Sequence, residues 1–168
     1  YQNLFAPAGL TFAIWGVIYL LLGAHVLYQF GLFHDAAVDD VAPFAGSASA
    51  SSGIAPTRAA LLQRVGVLFS LSSLANVAWI LSWHYDLILM STLLLATMLV
   101  LLILITRTIL GARLSPRDRL FVRLPFSVYF GWITVATIAN VTVWLVSIGW
   151  DGFGIAESTW AVAIVSVG

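Results

Sequence analysis

The chain has 168 residues, of which 61% are apolar and only 8% charged, against about 25% charged in an ordinary soluble domain. Mean hydropathy is +1.03 and the formal net charge is zero. These values exclude a soluble globular domain, a disordered tail and a nucleic-acid binder, and leave an integral membrane protein. Cysteine and lysine are both absent, so there is no disulfide framework or thiolate chemistry, and all seven cations are arginine. No basic leader with a small-residue cleavage site opens the chain. It starts at Tyr1 and stops at Gly168 inside an apolar run, so a longer natural protein is expected.

A hydrocarbon core of roughly 30 Å takes about 20 apolar residues in helical form. The first such run spans about 10–30 and carries Trp15 and Tyr19 one helical turn apart. A long loop with Asp35, Asp39 and Asp40 follows, containing the small, polar stretch 46–53. The second run, 61–83, carries Asn76, Trp79 and Trp83 on one face. Gly66, Ser70 and Ser73 form a line of small residues on the same run, suited to close helix packing, a homodimer seam or a partner membrane subunit. His84-Tyr85-Asp86 is a tight turn, which makes the third run, 87–106, an antiparallel neighbour of the second. In the basic turn before the fourth run, Ser115 is placed to cap a helical turn with Pro116 at its first position. The fourth run, 124–149, stacks Tyr129, Trp132, Ala136, Asn140 and Trp144 on one face. A short acidic loop leads to a fifth run, opening at Ser158 and still apolar at Gly168. The predicted fold is therefore all-α, a polytopic transmembrane helix bundle with four complete spans plus the start of a fifth, read as one domain over 1–168.

Orientation follows from arginine. Arg58 and Arg64 flank the start of the second run, and Arg107, Arg113, Arg117, Arg119 and Arg123 lie between the third and fourth. Alternating spans put loops 31–60 and 107–123 on one side, which the positive-inside rule makes cytoplasmic. The 113–123 loop could also attract anionic headgroups, although a plain topology determinant is the simpler role.

Trp83, Trp150 and Trp160 lie at span ends, where an interfacial aromatic belt accounts for them. Trp15, Trp79, Trp132 and Trp144 lie deeper. An asparagine in hydrocarbon needs a partner, so Asn76 and Asn140 are expected to point inward. Inward aromatic stripes with one amide each could line a flat apolar pocket. The plainer alternative is that the amides only join helices. His25 is expected at the interface. No second histidine or acidic partner gives it a metal-binding spacing. No span holds paired carboxylates, a nucleophile elbow or a phosphate loop, and none holds a mid-membrane ionisable group of the kind an ion-driven transporter uses.

Pro7, Trp15, Tyr19 and Gly23, then Asn76 and Trp79, then Tyr129, Trp132, Ala136 and Asn140 resemble the helix-two, helix-three and helix-five motifs of the TspO/translocator-protein family. The opening segment Asn3 to Trp15 is similar to a longer prokaryotic branch of that family. The resemblance implies a five-helix core, often dimeric, in a prokaryotic cell membrane. The four runs would match family helices two to five, with helix one outside this chain. It implies binding of a flat hydrophobic ligand, a porphyrin or an isoprenoid or sterol-like lipid, at Trp15, Tyr19, Asn76, Trp79, Tyr129, Trp132, Ala136 and Asn140. Some bacterial members promote light-dependent porphyrin breakdown, which would need no residue nucleophile. The chain departs from the pattern at Ala6 and Gly9 before the first run, and at Val128 and Val141 in the fourth. Val141 leaves the family's sterol-recognition pattern incomplete. A sensory, regulatory or transport-related role is implied. A structural or assembly subunit without its own small-molecule site is the alternative.

Overall fold

The structure, a computed structural model, describes residues 13–31, 58–112 and 114–167. Among them, α1 spans Ile14–Gln29, α2 Arg58–His84, α3 Ile88–Leu110, α4 Pro116–Asp118, α5 Leu124–Ser147 and α6 Glu157–Val167. A π-turn at Arg119–Arg123 joins α4 to α5, and a 3-10 turn at Gly152–Gly154 precedes α6. Three helical stretches are long and apolar enough to cross a membrane: Ala60–His84, Ile88–Leu110 and Pro116–Ser147. At 1.5 Å per residue, the 23 residues of α3 span about 35 Å, enough for the hydrocarbon core. The 16 residues of α1 are shorter than the predicted first span, whose residues 10–12 lie outside the described ones. The architecture is a helical membrane bundle.

The turns are set by local chemistry. After α2, the Leu87 N–H donates to the Ser82 carbonyl at 2.8 Å and the Asp86 N–H to the Trp83 carbonyl at 3.2 Å. That pattern needs a left-handed residue just past the helix end, and Asp86 takes it with φ 57°. Gly149 closes α5 in the same way, with the Trp150 N–H donating to the Leu145 carbonyl at 3.0 Å. The α4 turn starts on the expected cap. The Ser115 hydroxyl accepts from the Asp118 N–H at 3.1 Å, the Ser115 N–H donates to the Asp118 carboxylate at 3.3 Å, and Pro116 follows.

Pro125 shapes the entry to α5. It has no N–H to give the Phe121 carbonyl four residues earlier. The His25 ring supplies the missing donor from α1, with Nδ1 2.8 Å from that oxygen. His25 is fully buried, between the edges of Phe69 and Phe126. The ring expected at the interface is thus turned into the bundle, where it is buried against the Phe121 carbonyl. Beside it, the Tyr28 hydroxyl donates to the buried Asp118 carboxylate at 2.8 Å. The end of α1 is thereby tied to the α3–α5 connection.

α3 is central. Leu95, Met98, Leu102 and Ile105 are fully buried along it. α2 packs along one side of α3 and α5 along the other, while α1 packs on α5 and on the π-turn. The order around the bundle is α2, α3, α5, α1. Among the described residues α1 and α2 pack less closely on each other than either does on its other neighbours, and side chains such as Trp15–Trp79 and Asn76–Tyr19 bridge them. Outward faces carry exposed Leu20, Leu74, Leu93, Val100 and Val135, as expected where the solvent is acyl chain.

Candidate functional site

The gap between α1 and α2 is closed at one end by aromatic rings. Trp15 of α1 stacks on Trp79 of α2, with ring centroids 5.9 Å apart and planes at 28°. It also stacks on Tyr19 at 5.5 Å. From α5, Tyr129 and Trp132 approach Trp15 edge-on, at 6.2 and 6.1 Å. Three helices thus meet on one indole. The spacing explains why: Trp15 and Tyr19 are one turn apart, as are Tyr129 and Trp132, so each pair shares a face. Edge-on and offset contacts suit the ring quadrupole, with about 0.5–1.5 kcal/mol per pair beyond area burial.

Next to these rings lies a partly open cleft of about 330 Å³. Tyr19, Gly23 and Val26 of α1, Phe69 and Asn76 of α2, and Tyr129 of α5 are among its lining residues. None of the lining residues is charged. Gly23 matters because a Cβ placed there would meet nothing within 4 Å, so the α1 wall is recessed. Its polar lining residues are Tyr19, Ser73, Asn76 and Tyr129. Asn76 is 8% exposed, and its Nδ2 donates to the Tyr19 hydroxyl at 3.3 Å. Its Oδ1 is buried with no hydrogen-bond partner. A buried amide oxygen without a donor costs about 1–3 kcal/mol, so something that donates belongs beside it.

Six of the residues marked in the sequence therefore come together: Trp15, Tyr19, Asn76, Trp79, Tyr129 and Trp132. Asn140 does not join them. Its Oδ1 accepts from Thr92 at 2.7 Å and Ser91 at 3.0 Å, so it fastens α5 to α3. Ala136, half-buried, packs against the core and is not part of the cleft lining. The two asparagines look alike in the sequence, and their neighbours decide between the roles. α3 offers Asn140 two hydroxyls, whereas α1 leaves Asn76 half-satisfied.

The line of small residues on α2 borders the same gap. A Cβ on Gly66 would lie 3.7 Å from the Gln29 amide of α1, and Ser73 lines the cleft. Ser70 is exposed and bonds back to the Gly66 carbonyl at 2.9 Å. Two of the three residues thus face α1. Phe69 and Val26 are cleft residues that the sequence pattern did not single out, while Gly23 was marked only as part of the first run's motif. Phe69 had a signal, because it lies seven residues before Asn76 and so on the same α2 face. Trp160 also has a role beyond the aromatic belt. Its Nε1 donates to the Gly152 carbonyl at 3.0 Å and fixes the turn before α6. Among the described residues no three His, Asp or Glu side chains are grouped as metal ligands; His34 lies outside them.

The family model described as TSPO-like protein matches residues 1–168. No curated protein and no solved structure matches the chain. With a match over its whole length, added to apolar membrane-length helices rich in tryptophan, the chain belongs to the TSPO-like protein family.

Proposed function

We propose that this TSPO-like membrane protein binds a flat hydrophobic ligand, a porphyrin or an isoprenoid or sterol-like lipid, in the cleft between α1, α2 and α5. Trp15, Trp79, Tyr129 and Trp132 supply the aromatic end and the Asn76–Tyr19 pair the polar point. The observation that carries the proposal is the unpartnered Asn76 Oδ1 on a residue in the wall of a mostly apolar cleft. Small-molecule sites have this composition, mostly apolar with a few placed polar groups, and the cleft volume sits at the lower end of their range of about 300–1,000 Å³. Asn140 serves packing and stands outside the site.

Binding without an assigned chemical step fits a sensory, regulatory or transport-related role in a prokaryotic cell membrane. The arginine-rich loops 31–60 and 107–123 face the cytoplasm, so the His25–Phe121 and Tyr28–Asp118 contacts lie at the cytoplasmic end and the Trp15–Trp79 stack toward the other. The test is tryptophan fluorescence of the detergent-solubilised protein, titrated with protoporphyrin and with all-trans-retinol. Quenching that saturates with at least one of them, and weakens in Trp79→Ala, supports the site. Quenching that rises without saturation for both, as for partition into empty micelles, overturns it.

A further inference from the structure

Among the polar residues that line the cleft, Asn76 carries the one buried side-chain atom with no hydrogen-bond partner. Ser73 lines it but donates its hydroxyl proton to the Phe69 carbonyl at 2.9 Å. Tyr129 lines it with its hydroxyl beside Ser72. The pair with both an unmet acceptor and a donor beside it is Asn76 and Tyr19. As the pair stands, Asn76 donates to the Tyr19 oxygen, leaving the Asn76 Oδ1 as a free acceptor and the Tyr19 O–H as a free donor. With the amide turned over, Tyr19 would donate to Oδ1, and the free groups would be both Asn76 N–H groups and a Tyr19 lone pair. Either way the pair offers at least one donor and one acceptor side by side.

That combination matches a group which both donates and accepts, and a hydroxyl is the smallest such group. An ionised carboxylate only accepts. It would answer the donor but face the amide oxygen with another acceptor. Among the described residues no arginine, lysine or histidine lines the cleft to neutralise it, and a desolvated, unpaired charge is strongly disfavoured there.

We propose that the Asn76–Tyr19 pair is a specificity element that selects an uncharged, hydroxyl-bearing apolar ligand and rejects the same skeleton ending in a carboxylate. This inference rests on the cleft being the ligand site. A dicarboxylate tetrapyrrole would have to keep its acid groups outside the cleft, whereas a polyene or polyprenyl alcohol can place its head group at Asn76.

The test uses all-trans-retinol and all-trans-retinoate, which share one skeleton, at about pH 9, where the acid is ionised. Saturable tryptophan quenching is measured for the wild-type protein, Asn76→Leu and Tyr19→Phe. Retinol is expected to bind at least about tenfold tighter than retinoate to the wild type. In Asn76→Leu the retinol-to-retinoate ratio should narrow severalfold, through loss of retinol affinity, while the cost of desolvating the carboxylate remains. Far-UV circular dichroism checks the fold. Should Asn76→Leu fail to fold, Tyr19→Phe carries the test, since it removes only a hydroxyl from a half-exposed ring. Equal saturable binding of both compounds to the wild type overturns the specificity while leaving the cleft as a site. A ratio unchanged in a folded Asn76→Leu, or in Tyr19→Phe where that variant carries the test, overturns it as well. If neither compound saturates, the cleft and the inference fall together.

Discussion

At the scale of single residues, two polar side chains on similar apolar faces have opposite fates. Asn140 has its oxygen satisfied by Ser91 and Thr92, so Asn140→Leu should lower stability by about 1 kcal/mol while leaving retinol quenching unchanged. Thermal unfolding in detergent beside the titration would check this. A loss of binding with no loss of stability would contradict it. His25 makes a sharper case, because its bond goes to the carbonyl that the Pro125 nitrogen cannot serve. His25→Phe should destabilise by about 1–3 kcal/mol, through loss of a buried hydrogen bond. In a Pro125→Ala background the helix can supply its own N–H, so the His25→Phe penalty should shrink markedly. An additive double-mutant cycle would refute the link between them. This much was partly legible in the sequence. Proline stands in the text, and so does its missing N–H. Which side chain answers it depends on how α1 lies on the π-turn, and no spacing within one helix encodes that.

At the scale of elements, the helices follow from apolar run length, and the aromatic faces from three- and four-residue spacing. Periodicity placed Trp15 with Tyr19 and Tyr129 with Trp132, and these pairs meet in space. It could not say that α1 and α2 pack only loosely on each other, because the width of a gap depends on side chains from both walls. Gly23 and Gly66 contribute by what they lack. The turns are more local. Asp86 sits at φ 57° at the end of α2, where glycine is free of strain and a β-branched residue is not. Asp86→Gly should leave the unfolding temperature unchanged or raise it slightly, and Asp86→Val should cost about 1–2 kcal/mol. Equal effects of the two substitutions would mean that the turn does not hold this conformation. Tyr28→Phe removes the hydroxyl that reaches Asp118 and should cost about 1–3 kcal/mol. A hydrogen-exchange measurement would place the resulting loosening at the end of α1 and in the α3–α5 connection.

For the whole molecule, α3 is the spine. Its sides carry α2 and α5, and α1 reaches the bundle through α5. The cleft lies where the order of helices leaves α1 and α2 only loosely packed on each other, so the fold positions the site at its weakest helix–helix seam. Topology can be tested cleanly because the chain has no cysteine. Single cysteines at Ser115 and Tyr85 should react with a membrane-impermeant maleimide from opposite sides, Ser115 only after the cytoplasmic face is opened. Labelling of both from the same side would contradict the bundle's alternation. The most direct measurement of the central claim is photo-crosslinking with a diazirine-bearing retinol, read by mass spectrometry with and without excess retinol. If the cleft binds the ligand, competed adducts fall on the α1 segment around Tyr19 to Val26 and the α2 segment around Phe69 to Asn76. Adducts confined to outward residues such as Leu93 and Val100, and unaffected by competitor, would show that the probe sees only the lipid face.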